Sequence, residues 1–247
     1  MMKKITLGWT LLFCLPLWIS PSLARNSNLE KTMYYDLQEK NFTKLRGGYQ
    51  YLLYFPKNYK EEKSFPLLLF LHGAGTRGDD LETLKRHVPI QFMIQDGALP
   101  FVVVAPLCPD KKQWESGLLN SFLSEVILRN AIDEHRVYLT GISMGGYGAF
   151  QLATAYPERF AALVPVCGAA RMNMVKNLLH VPIWTFHGAK DTVVPIQYTA
   201  SVVKELQKYK QADVRFTVYP DAGHDIWNRA YRTPELYSWM LSQRTNS

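Results

Sequence analysis

From residue 65 onward, short apolar runs alternate with segments whose apolar residues recur every three or four positions. Phe65–Leu71 (FPLLLFL) is almost unbroken, the pattern of a strand covered on both faces. Residues 101–105, Ala162–Val166 and 182–187 have the same character. Residues 136–140 and Val214–Tyr219 are rich in β-branched and apolar side chains, and 49–55 is a further strand candidate closed by the turn Pro56-Lys57-Asn58-Tyr59. Leu118, Leu119, Phe122, Leu123, Val126, Ile127 and Ala131 fall at steps of three and four, which predicts an amphipathic helix. Helices are also expected over 89–95, from Gly146 to about Tyr156, over 196–208, and over 234–242 with Thr233 as N-cap and Pro234 at the first turn. Residues 25–48 are polar and mixed and predict no element.

Strands that alternate with helices predict a mostly parallel, doubly wound α/β sheet with helices on both faces. In such sheets ligands sit beyond the carboxyl ends of the strands. The reactive candidates below fall at those ends.

A chain of 247 residues suits one substantial domain, and 47% hydrophobic and 20% charged residues are ordinary for a globular protein. The start reads differently. Lys3 and Lys4 precede an apolar run over 5–19, and Ser22-Leu23-Ala24 offers small residues for cleavage. This predicts a signal peptide over 1–24, cut after Ala24, a single catalytic domain over 25–247, and a secreted or periplasmic product. The apolar run is shorter than the roughly 20 residues a spanning helix needs, and Pro16 interrupts it. No stable membrane insertion is therefore expected. Phe13 before Cys14 does not suit a lipidation site. The formal charge of +7 comes from scattered residues without interleaved aromatics, so no nucleic-acid partner is expected.

The chemistry centres on Gly141-Ile142-Ser143-Met144-Gly145, set between a strand and a helix. A serine hydroxyl is a weak nucleophile and must be held out on a sharp turn where a base reaches it. Gly141 and Gly145 carry no Cβ to obstruct that turn, and the following helix aims its free N–H groups at the reacting centre. Asp191 follows one later strand and His224 the next, so Ser143, Asp191 and His224 fall in the order of a nucleophile, an orienting acid and a base. The chain has six histidines. His72 is expected to support its own loop and His187 to hydrogen-bond locally. His87, His135 and His180 read as surface residues. Asp221 and Asp225 suit turn chemistry in the His224 loop. Two backbone N–H groups are expected to face the oxyanion: Met144, just after the nucleophile, and Ala74 in the loop His72-Gly73-Ala74-Gly75. No HExxH, paired Cys/His spacing, P-loop or dinucleotide fingerprint is present, so neither a metal nor a cofactor is expected.

Four segments together, residues 70–80, 140–148, 186–191 and 220–225, resemble an exported carboxylesterase of the α/β-hydrolase superfamily. The resemblance lies near polyhydroxybutyrate depolymerases, feruloyl and acetyl xylan esterases, dienelactone hydrolases and the catalytic domain of prolyl oligopeptidases. It covers roughly residues 49–242 and implies Ser143, Asp191 and His224 as a catalytic triad. The superfamily's sheet order implies two strands between those that carry Cys108 and Cys167. Three spacings of roughly 4.8 Å exceed a disulfide's reach. Only about a dozen residues separate Gly168 from Val181, too few for the cap domain many relatives insert there. An open site for accessible esters is expected, whether on small molecules or on polysaccharides, rather than a lid-covered site for long acyl chains. Trp114 and Trp227 follow reactive strand ends and are expected to flank the pocket. A serine peptidase on the same triad is the alternative, although only about 40 residues precede the sheet and leave no room for a propeller. A non-catalytic binding protein would be expected to lack a triad member.

Overall fold

The computed structural model describes residues 34–36, 43–44, 48–57, 59–60, 63–86 and 100–245. All belong to the compact unit that spans 31–247. The expected leader, the helix expected over 89–95 and His87 lie outside the described residues.

The sheet contains β1 (Tyr34–Asp36), β2 (Thr43–Lys44), β3 (Gln50–Tyr54), β4 (Phe65–Leu71), β5 (Val102–Leu107), β6 (Ile132–Ile142), β7 (Ala162–Val166), β8 (Ile183–Gly188) and β9 (Val214–Tyr219). Their order is β1-β3-β5-β4-β6-β7-β8-β9, with β2 on β3. From β5 to β9 every pair is parallel, while β3 runs antiparallel to β5. Among the described residues the α-helices are α1 (Leu81–Lys85), α2 (Ser116–Arg129), α3 (Met144–Ala155), α4 (Ile196–Leu206), α5 (Trp227–Tyr231) and α6 (Leu236–Leu241).

β4 shows why its sequence lacks alternation. Leu67, Leu69 and Leu71 enter a core with Leu119, Phe122 and Leu123 of α2 and with Phe150 of α3. Leu68 and Phe70 point the other way, among Leu81 of α1, Tyr231 of α5 and Trp239 of α6. Successive side chains leave a strand on opposite faces, so a strand buried on both must be apolar throughout. This is the mostly parallel, doubly wound α/β architecture the alternating pattern predicts.

Several boundaries differ from expectation. β6 begins at Ile132 rather than at 136. Its first residues are half-buried or exposed, so they carry no apolar signal, yet Ile132 pairs with Phe65 ahead of a register shift. Pro234 lies in a turn before α6. β7 and β8 are joined through a 3-10 helix, Met172–Leu178, with no inserted domain. Cys108 and Cys167 are buried and unpaired among the described residues, with β4 and β6 between their strands.

Candidate active site

Ser143 joins β6 to α3 at φ 53° and ψ −115°, a left-handed backbone that a side-chain-bearing residue adopts only under strain. Close packing enforces the turn. A Cβ on Gly145 would stand 1.9 Å from the Leu71 carbonyl oxygen, and one on Gly141 would stand 2.3 Å from that of Gly145. The Ser143 amide donates to Val166 O at 2.9 Å, which ties the elbow to β7.

Asp191 and His224 arrive on loops that follow β8 and β9. These loops pack main chain to main chain, and Lys190 N–H donates to Ala222 O at 2.9 Å. His224 Nε2 lies 2.8 Å from Ser143 Oγ, and its Nδ1 lies 2.7 Å from Asp191 Oδ2. The structure therefore brings the three side chains into one hydrogen-bonded line at the carboxyl end of the sheet.

Asp191 is buried, and its other oxygen, Oδ1, accepts the N–H groups of Val193 at 2.9 Å and Val194 at 2.8 Å. Burial alone would raise its pKa. The His224 hydrogen bond and the two amides outweigh burial and hold the carboxyl below the usual carboxylate range. The acid is thus kept ionised beside the imidazole.

The loop after β4 lies against Ser143, because a Cβ on Gly73 would sit 3.7 Å from that of Ser143. Ala74 opens a 3-10 turn, Ala74–Thr76, and Met144 is the first residue of α3. Both N–H groups lack a partner within their own helix, as first-turn amides do. His72 anchors the loop from below. Its Nε2 accepts the Cys108 N–H at 3.0 Å, so Nδ1 carries the proton and donates to Gly73 O at 2.7 Å.

The two tryptophans part ways. Trp114 does not flank open space: it is 4% exposed and packs in the core against Tyr49. Its Nε1–H donates to His72 O at 3.1 Å, and its ring stands edge-on to the His72 imidazole. The physical reason is Gly148 on α3, where even a Cβ would meet the Trp114 ring at 2.7 Å, so the indole fills that gap and supports the loop. Trp227 is half-buried and stands perpendicular to the His224 ring, with centroids 5.7 Å apart.

The model for the phospholipase/carboxylesterase family matches residues 107–233, a stretch that contains Ser143, Asp191 and His224. The chain belongs to that family. A thermostable esterase of known structure superposes with a TM-score of 0.73 at 30% identity, over 79% of this chain and 59% of that one. A bifunctional acetylxylan esterase/xylanase of Neocallimastix patriciarum is 30% identical over 51% of this chain and 18% of its own. A putative carboxymethylenebutenolidase of Salmonella typhimurium is 30% identical over 42% of this chain and 41% of its own. The chain thus spans less than half the length of these two curated relatives.

In this carboxylesterase-family chain, Cys167, Asp191 and His224 place possible metal-ligand atoms within 4.8 Å of one another. Their hydrogen bonds are already committed: His224 Nδ1 faces Asp191, and the Cys167 thiol faces His224 O at 3.4 Å. Burial also pushes that thiol well above its ordinary pKa, which opposes the thiolate a metal needs. The donor set fits a proton relay better than a metal centre. Sequence reasoning missed the Val193 and Val194 amides that hold Asp191. An aspartate followed closely by main-chain donors in a turn is the available signal.

Proposed function

We propose that this protein is an exported serine carboxylesterase that hydrolyses accessible esters through an acyl-enzyme. The observation that carries the reading is the hydrogen-bonded line from Ser143 through His224 to Asp191. His224 takes the Ser143 proton as the hydroxyl attacks the ester carbonyl, then returns it to the leaving alcohol. Asp191 keeps the imidazole in the Nδ1–H tautomer and stabilises the imidazolium that forms. The Met144 and Ala74 amides receive the oxyanion, and losing one such donor typically costs about 10²–10³ in rate. Water then attacks the acyl-enzyme with His224 again as base.

Two features support accessible esters, including acyl groups on polysaccharides. Among the described residues, the short β7–β8 connection inserts no cap domain. Met172, Val193 and Tyr198, on the segments that leave the carboxyl ends of β7 and β8, are exposed apolar side chains. One relative's acetylxylan esterase name is in keeping with such a substrate. Export rests on Lys3, Lys4, the apolar run and Ser22-Leu23-Ala24.

A fluorophosphonate probe tests the reading. Wild type should be labelled and should hydrolyse p-nitrophenyl acetate, and Ser143→Ala should lose both. Labelling that survives the substitution overturns it. Matched ester and amide substrates distinguish an esterase from a peptidase, and a mature N-terminus at Arg25 tests export.

A further inference from the structure

His187 lies near the end of β8 with its ring buried, four residues before Asp191. Its Nε2 stands 2.8 Å from Val194 O and 3.1 Å from Asp191 Oδ2. A carbonyl and an ionised carboxylate have no proton to give, so Nε2 must carry one. At the other end of the ring, Nδ1 stands 2.8 Å from Thr199 Oγ1 on α4. That hydroxyl also sits against the Gly168 carbonyl. Both ends of the ring are therefore held, and the ring cannot turn without losing contacts at each.

The oxygen that faces His187 is the same one that takes the His224 hydrogen bond. Asp191 Oδ2 lies between two imidazoles while Oδ1 is filled by two amides. The titratable groups around this carboxylate come from four elements: His187 from β8, His224 from the loop after β9, Cys167 from the end of β7 and Tyr147 from α3. Asp225 acts on Cys167 in turn. Burial raises both the Cys167 thiol and the Tyr147 phenol, so both stay neutral through the neutral range.

We propose that His187 is a positioning residue whose Nε2–H, donated to Val194 O, is shared with Asp191 Oδ2. It fixes the rotation of the carboxylate and moderates the carboxylate's hold on the His224 imidazolium. A shared acceptor oxygen gives less to each donor, so removing the His187 donor should strengthen the carboxylate's hold on His224. This rests on the triad reading above.

The test compares wild type with His187→Gln, whose amide can reach Asp191 as a donor, and His187→Leu, which fills space without one. Nitrogen-15 spectra of the wild-type imidazoles give the His187 tautomer. kcat and KM for p-nitrophenyl acetate are measured across pH, with fluorophosphonate labelling of the same samples. The expected results are a proton on His187 Nε2 and a kcat for His187→Leu reduced on the order of 10-fold or more with KM little changed. The acid limb of that variant should move to higher pH, and His187→Gln should recover most of both. The proposal is overturned by a proton on Nδ1 alone, by a His187→Leu variant with wild-type kcat and acid limb, by a change in KM only, or by a His187→Gln variant as impaired as His187→Leu. If His187→Leu does not fold, the tautomer and His187→Gln decide. If wild type neither takes the probe nor cleaves the ester, the triad reading fails, while the tautomer still decides the hydrogen bond.

Discussion

Gly188 and Gly223 meet main chain to main chain: a Cβ on Gly188 would stand 2.0 Å from the Gly223 carbonyl oxygen. Gly188 ends β8 just before the loop that carries Asp191, and Gly223 immediately precedes His224. The spacing of Asp191 and His224 is therefore set by two backbones with no side chain between them. Gly188→Ala should force the loops apart. A displacement of about 1 Å near reacting groups costs about 10²-fold in rate, and overpacking costs about 1–3 kcal/mol of stability. Steady-state kinetics and urea unfolding of this variant should show the kinetic loss mainly in kcat.

The loop under the expected oxyanion donor rests on a buried indole. Trp114→Phe keeps an aromatic ring beside Gly148 but removes the hydrogen bond to His72 O. It should lower stability by about 1 kcal/mol. It should also reduce kcat for a short ester with KM nearly unchanged. A rise in KM alone would instead mark Trp114 as a substrate contact.

Stability should fall in acid in two stages. His187 has its pKa depressed below the ordinary 6.5, first by burial. The unfolded chain therefore binds a proton there that the folded chain refuses, so stability falls as pH drops below 6.5 toward the folded value. Asp191 is depressed below 3.8: burial opposes this, and the His224 and amide hydrogen bonds prevail. Its contribution is present above 3.8 and is lost as pH falls through the folded value. Urea midpoints of wild type from pH 8 to 4 should decline below 6.5, and His187→Gln should remove that first stage.

That Ser143, Asp191 and His224 would meet was legible because each follows a buried strand and sits among turn-forming neighbours. The parallel sheet was legible for a related reason: Phe65–Leu71 and Ala162–Val166 are buried on both faces and so are apolar throughout. What escaped has no local signature. β1 and β2 hold three and two residues and are joined to β3 by main-chain pairing, which leaves no periodic pattern. α5 has five residues, too few for a helical repeat to declare itself. The burial of Trp114 depends on the absence of a side chain at Gly148, 34 positions away. The His187 hydrogen bonds depend on how α4 is laid against β8, which no spacing within either segment reveals.

The strain at Ser143 should be measurable as stability gained when it is released. At φ 53° and ψ −115° the serine Cβ is held in a conformation that only glycine adopts freely. The hydroxyl is presented to His224 at the cost of that strain, estimated at about 1–3 kcal/mol for such outliers. Ser143→Ala removes the hydroxyl and keeps the Cβ, whereas Ser143→Gly removes both. Neither variant should hydrolyse esters or take a fluorophosphonate. Ser143→Gly should nevertheless be more stable than Ser143→Ala by about 1 kcal/mol or more, despite glycine's greater freedom in the unfolded chain. Equal urea midpoints for the two variants would mean that the strain released is no larger than glycine's cost in the unfolded chain, about 0.4–1 kcal/mol.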